Sequence, residues 1–338
     1  MATVQLADIY EPLTFNLAVQ ERAIELNRFI GSGVMQLDQR IDAMAAGPGQ
    51  VGELPFFHGL TNDEPDYTTD NPATNSTPAK ITSGKQVYAS AHMHKSWSTM
   101  DLARELGLGD PLGAIINRVG KYWAVNNEKR LIRTTTGIML DNVANDSSDM
   151  THDVFIEDGN NATTANLISS ETVIDATATM GDHSDQLTAI AMHSIPYTRL
   201  KKDQLITTIR DADNNVEFEV FLGKYRVVVD DSLAPRAGTT SGYVYTTVLF
   251  STGVVAYGMG APMVESELER IASSGNGGGQ DIIHSRRSEI IHPYGFAWDT
   301  AAQVGQSSTL SELAAAAGWN RVFQERKNVG IAFLRTNG

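Results

Sequence analysis

Between Leu54 and Pro78 the chain reads LPFFHGLTNDEPDYTTDNPATNSTP, with four prolines, many Asp, Asn and Thr, and no helical or strand period. A structureless stretch of this length is unusual inside a compact domain, so it is either functional or disordered. The following segment, Lys80 to Trp97, places Ile81, Val87, Tyr88, Ala89 and Ala91 among small polar residues and predicts a strand. A long excursion that returns as a strand predicts a projecting hairpin, which has no core of its own and needs a partner to lie on. Leu54, Phe56, Phe57 and Tyr67 would leave apolar surface in water if that arm stood alone. Val87 marks a strand edge open to pairing. These five residues are the candidate assembly contacts, and the arm from Gly52 to Ser96 is expected to act between subunits.

A second pattern is helical. Asp110-Pro111 supplies an N-cap acid and a proline at the first helical position. Leu112, Ile115, Ile116, Val119, Trp123, Leu131 and Ile138 then recur mostly at three- or four-residue steps. Continued to about Met139, this is a spine of roughly 45 Å at 1.5 Å per residue. Upstream, residues 1–30 carry only a partial helical period, Gly31-Ser32-Gly33 interrupts, residues 34–46 resume, and Gly47-Pro48-Gly49 stops them. Ser98-Thr99-Met100-Asp101 reads as a capping box, and residues 141–166 read as polar loop.

The second half mixes elements. Ser169–Met180 reads as a helix closed by Gly181, Leu187–His193 as a buried strand, and Tyr197–Leu205 as a short helix. Glu217–Val229 and Gly242–Gly258, rich in Val, Tyr, Phe and Thr, are strands. Within Gly223–Asp231, Val227 and Val229 should share one face with Val228 opposite. Ser273–Gln280 reads as a flexible loop and Ser285–Trp298 as strand. Thr309 and Glu312 form a second capping box that opens a helix over the alanine run to about Trp319, and Lys327–Leu334 is a last strand. Helices and strands without regular βαβ alternation favour an α+β class.

Composition bounds the function. The chain has 338 residues, 41% of them apolar, which suffices for a large core. Its formal charge of −14 makes it a poor candidate for wrapping nucleic acid or lying on an anionic membrane. With no cysteine, disulfides, thiolate catalysis and Cys-ligated metals are excluded. The N-terminus lacks a basic region followed by an apolar one, and no run approaches 18 apolar residues. The expectation is therefore a soluble intracellular product with no membrane partner.

No reaction centre, cofactor site or metal site emerges. Gly47-x-Gly49-x-x-Gly52 matches the dinucleotide spacing, but a helix-like alanine run precedes it, Pro48 lies inside it and Leu54-Pro55 follows. Gly277-Gly278-Gly279 has no lysine of a phosphate-binding loop after it. His92 and His94 share a strand face, with no third ligand placed locally. Asp211-x-Asp213-x-Asn215 begins like a calcium loop, but Val216 and Leu222 stand where Gly and Glu are needed. Asp182-His183-Ser184-Asp185 gathers triad residue types that cannot converge from adjacent positions. His292 before Pro293 reads as a core or interface histidine.

Three segments in this order, with a fourth fragment ahead of them, resemble the tailed-phage major capsid proteins of the Hong Kong 97-type fold. They are Phe221–Pro235 (FLGKYRVVVDDSLAP), Arg286–Trp298 (RRSEIIHPYGFAW), and Trp319-Asn320-Arg321-Val322 with Lys327–Ile331 (KNVGI). Ala191–Ser194 with Tyr197 fits the family's entry to its axial domain. Together they cover about the last 150 residues. The resemblance implies an N-terminal arm over 1–49, an extended loop over 50–97, a peripheral domain with the spine helix over 98–164, an axial domain with a mixed sheet over 165–263, and a return to the peripheral domain with C-terminal strands over 264–338.

It also implies a non-enzymatic protein that self-assembles as hexamers and pentamers into the icosahedral head shell of a virion. Such a chain is made in the bacterial host's cytoplasm. Packaged double-stranded DNA would lie inside without sequence-specific contact. Scaffold, portal and decoration proteins are the further partners the resemblance admits. An encapsulin-like compartment of the same fold, or a cytosolic hydrolase using His183 or His292, are the competing readings.

Overall fold

The computed structural model describes residues 19, 23–24, 27–47, 49, 51–59, 63–73, 75–100, 111–210 and 216–338. Its organising element is one helix, Pro111–Asn145, of 35 residues, about 52 Å long at 1.5 Å per residue. It passes the expected end at Met139 because Asn142, fully buried, gives the polar run after it an internal anchor. Asn142 Nδ2 donates to Asp149 Oδ1 at 2.7 Å, and Asn142 Oδ1 accepts from the Met150 amide at 3.1 Å. Ser147 and Ser148, both at φ near 58°, then turn the chain out of the helix.

The spine helix lies between two sheets. Strands β1 (Met35–Leu37), β2 (Val51–Phe57), β3 (Ser83–Ala89), β4 (Ala91–Met100) and β5 (Thr151–Asp153) come first in the chain. They are followed by β6 (Leu187–Met192), β7 (Ile206–Arg210), β8 (Val216–Phe221), β9 (Tyr225–Val229), β10 (Arg236–Ala237) and β11 (Tyr243–Ser251). The last are β12 (Val255–Gly260), β13 (Ser266–Ile271), β14 (Gln280–Pro293), β15 (Phe296–Trp298), β16 (Trp319–Arg321) and β17 (Ile331–Thr336). The five-stranded sheet runs β1-β12-β14-β13, and β4 pairs along the other edge of β14. The eight-stranded sheet runs β5-β17-β11-β6-β9-β8-β7, with β10 beside β11.

Period-two alternation divides the eight-stranded sheet into two buried faces. Ala189, Ala191, Val228, Val248, Phe250, Ile331 and Phe333 face the spine helix at Ile138 and Met139. Ile190, Met192, Leu249, Ala332 and Leu334 face the other way, onto Val173 and Ala176 of helix Ser170–Ala178 and Leu200 of helix Ser194–Lys202. Val227 packs toward this second face, so the expected alternation across Val227 and Val228 holds. Near its start the spine helix packs Val119 and Trp123 against Ile283 and Met93 of the five-stranded sheet.

Several local expectations give way to tertiary contacts. Ser98 does not cap a helix; it pairs with Ile282 inside β4, and Asp101 and Asp110 lie outside the described residues. The Thr309 capping box forms as expected, with the Thr309 amide 2.8 Å from Glu312 Oε2, but its helix is the single turn Leu310–Leu313. The alanine run does not continue it because the Leu313 carbonyl is turned onto Gly137 of the spine and accepts from Trp319 Nε1 at 2.9 Å. The last strand begins at Ile331 rather than Lys327, since Arg326–Asn328 form a short 3-10 turn. That strand sits between β11 and β5, so the C-terminal residues 331–336 belong to the eight-stranded sheet and not with the rest of 264–338. Conversely β12, inside the span 165–263, lies in the five-stranded sheet.

Candidate assembly surfaces

β2 and β3 form an antiparallel two-stranded ladder from Val51 opposite Ala89 to Phe57 opposite Ser83. Where they are described, residues 58–82 beyond it adopt neither helix nor strand, as the proline content dictates. The root of this hairpin is bound to the body. Leu54 packs on a cluster of Ile41, Ala45, Tyr88, Ala256 and Ile290. Phe56 stands edge-on to Phe323 with ring centroids 5.1 Å apart. Gln86, buried, has its Oε1 2.9 Å from His292 Nε2 and accepts from the Gly295 amide at 3.1 Å.

The five candidate contacts therefore separate. Leu54 and Phe56 are held by their own chain, and Val87 is half-buried opposite Glu53 in the ladder. Phe57 is 78% exposed and Tyr67 80% exposed, and the Tyr67 hydroxyl donates to Glu64 Oε1 at 2.7 Å. Sequence reasoning counted Ile81, 63% exposed and outside β3, as a strand residue rather than a contact, and missed the buried anchor Gln86. No local signal marks Gln86, because a single glutamine among polar residues does not announce its burial.

The start of the described chain is tied down electrostatically. Arg28, at the head of the short helix Arg28–Gly31, donates to Glu128 Oε2 of the spine and to Asp230 Oδ2 after β9, both at 2.9 Å. Its main-chain amide also donates to Glu128 Oε1 at 2.8 Å. The neighbouring carboxylates raise the pKa of the guanidinium, with the Glu128 hydrogen bond the largest cause.

The chemical candidates that are described take part in structural contacts. Gly47 ends helix Gln39–Ala46 and Gly52 lies in β2, so the glycines stand at a helix-to-strand turn where no phosphate cradle forms. His94 stacks on His284 with ring nitrogens 3.2 Å apart, and His284 Nε2 lies 3.0 Å from Glu269. His92 Nε2 lies 3.4 Å from the Ser90 hydroxyl. His183 Nδ1 lies 3.3 Å from the Lys327 carbonyl, while Asp182 pairs with Lys327 and Asp185 with Lys224. His292 is 1% exposed, and burial pushes its pKa down to about 4. The Asp211–Asn215 stretch lies outside the described residues. Among the described residues no group of three or more His, Asp or Glu could hold a metal ion, and no helix is long and apolar enough to cross a membrane.

Two sheets flanking one long helix, with a projecting hairpin, make a fold that solved structures share. The chain resembles the capsid of Ralstonia phage GP4 with a TM-score of 0.54 at 10% identity, covering 91% of this chain and 88% of that one. It resembles the capsid asymmetric unit of cyanophage Pam1 with a TM-score of 0.52 at 11% identity, covering 94% and 92%. In sequence it is 32% identical to the major capsid protein of Bacillus phage SPP1 over 329 residues, 97% of this chain and 96% of that one. Residues 70–330 match the model of the Gp13-like family, described as Major capsid protein 13-like. The chain belongs to that family of phage major capsid proteins, the structural proteins of the head shell.

Proposed function

We propose that copies of this chain close into an icosahedral shell as hexamers and pentamers, with the hairpin between Gly52 and Ser96 clamping neighbouring subunits. The observation that carries this is the exposure of Phe57, Tyr67 and Ile81 on a segment that builds no core. Apolar surface of that kind is covered by a partner, and a second copy is the partner that a homo-oligomer supplies. Phe57 and Tyr67 are the bearing contacts, while Leu54, Phe56 and Val87 hold the hairpin root in position for them.

On this reading residues 1–49 are an arm, 50–97 the extended loop and 98–164 the peripheral unit with its spine. Residues 165–263 form the axial unit, and 264–330 return to the peripheral unit. The strand Ile331–Thr336 is counted with the axial unit because it pairs with β11. The net charge of −14 keeps the inner surface from binding packaged double-stranded DNA by its phosphates. The chain is made in the host cytoplasm and works in the virion without catalysis. Scaffold, portal and decoration proteins complete its set of partners.

The test replaces Asn62–Ser76 with a short Gly-Ser linker. The expected product keeps a folded circular dichroism spectrum yet forms no closed particles, or fragile ones, by negative-stain imaging. Particles of normal size and thermal stability would refute the clamp.

A further inference from the structure

The exposed face of the spine helix carries charge of one sign. Arg118, Lys121, Lys129 and Arg133 stand on it, with Tyr122 and Val125 between them. At 3.6 residues per turn these six side chains lie within about one third of the helix circumference. No exposed carboxylate shares the helix, because Glu128 and Asp141 are buried and Glu128 already holds Arg28. Among the described residues none of the four cations makes an ion pair or a side-chain hydrogen bond. In a chain of net charge −14 this stripe is a local reversal of sign.

The hairpin beyond its ladder carries the opposite charge. Residues 60–79 hold Asp63, Glu64, Asp66 and Asp70 and neither Lys nor Arg. All four acids are exposed, as is Tyr67. Glu64 accepts from Tyr67, and Asp66 and Asp70 meet no cation among the described residues. The two runs match in length. Arg118 to Arg133 rises about 22 Å at 1.5 Å per residue of helix. Asp63 to Asp70, drawn out, spans about 23 Å at roughly 3.3 Å per residue. They also match in kind, since each sets apolar groups among its charges: Tyr122 and Val125 on the helix, Pro65 and Tyr67 on the hairpin.

We propose that the acidic run Asp63–Asp70 of one copy docks along the basic stripe Arg118–Arg133 on the spine helix of a neighbouring copy, with Tyr67 covering Tyr122 and Val125. This rests on the clamp proposed above and names the face that it grips. Exposed ion pairs are individually weak, so the charges select partner and position while the apolar groups are removed from water. A nucleic-acid duplex fits less well, because the stripe is one helix wide and the rest of the chain repels phosphates.

The chain has no cysteine, so an introduced pair reports one contact without background. Asp66→Cys with Val125→Cys puts one thiol at the middle of each run, and the middles meet whichever way the runs point. Purified shells oxidised with copper phenanthroline should give chains linked to one another, up to hexamers, on a non-reducing gel. Shells with either cysteine alone should not. The absence of linked chains, or a link confined within one chain, would overturn the docking. Charge exchange is the second arm. Lys121→Glu, Lys129→Glu and Arg133→Glu together should cut the yield of closed particles about tenfold, three exposed pairs at about twofold each. Glu64→Lys, Asp66→Lys and Asp70→Lys together should do the same, and combining the two sets should restore particles. A combination no better than either set would overturn the proposal. So would particles of the first set that form in normal yield but hold less DNA, which would assign the stripe to the packaged genome. The Asn62–Ser76 linker variant separates the two readings: if it fails to close particles while the cysteine pair stays unlinked, the clamp stands and only this docking falls.

Discussion

Acidification should loosen the body of this subunit through His292. The imidazole is 1% exposed on β14, and burial lowers its pKa from 6.5 to about 4. The folded chain therefore favours the neutral ring, while the unfolded chain takes a proton as soon as the pH falls below about 6.5. The contribution to stability is complete above that pH and is lost progressively down to about pH 4. Those limits differ by about 2.5 pH units, so the loss is about 3 kcal/mol at 1.36 kcal/mol per unit. The ring nitrogen Nε2 donates to Gln86 Oε1 at 2.9 Å, so the added proton goes to Nδ1 and the link between β14 and the hairpin root is kept.

The comparison is wild type against His292→Gln, which cannot titrate there. Denaturant unfolding of both is followed by tryptophan fluorescence in half-unit steps from pH 7.5 to 4. Carboxylates common to both proteins cancel in the difference. The stability of the wild type relative to the variant should fall by about 3 kcal/mol across this window. A difference that stays constant within 1 kcal/mol would show that the folded protein accommodates the charged ring, and the reasoning from burial would fail.

Two further substitutions test the packing. Gly137→Ala gains about 1 kcal/mol of helix propensity, but its methyl would stand 2.6 Å from Trp319 Cδ1 and against the Leu313 carbonyl. A net loss of about 2 kcal/mol is expected, seen as a lower thermal midpoint with altered Trp emission; an unchanged or higher midpoint would show that this contact yields. Val228→Asp places a charge on the buried spine-facing side of β9, where the native side chain is 5% exposed. A loss of about 3–5 kcal/mol and insoluble protein are expected, and soluble shell-forming Val228→Asp would contradict the burial of that face.

The spine helix, the alternation across Val227 and Val228, and the mixed α+β class were legible in the sequence because each is written in a local period of side chains. So was the irregular stretch beyond the ladder, where Pro65, Pro72 and Pro78 stand among Asp, Asn and Thr, although Pro55 itself lies in β2 opposite Lys85. Which arm residues stay exposed was not legible: Leu54 and Phe56 look like Phe57 in sequence, yet the first two rest on Ile41 and Phe323 and the third faces solvent.

Tertiary structure decided whatever depends on residues far apart in the chain. Ser98 became a strand residue because β14 offered Ile282 as its partner. Met35–Leu37 became a strand only by pairing in parallel with Val255–Tyr257. The alanine run lost its helix because Gly137, far upstream, let the Leu313 carbonyl approach. Arg130 of the spine acquired Ser308 as its hydrogen-bond partner, far along the chain, which no helical period could announce. Local periodicity records which face of an element is buried, but the partner that buries it is chosen by long-range packing.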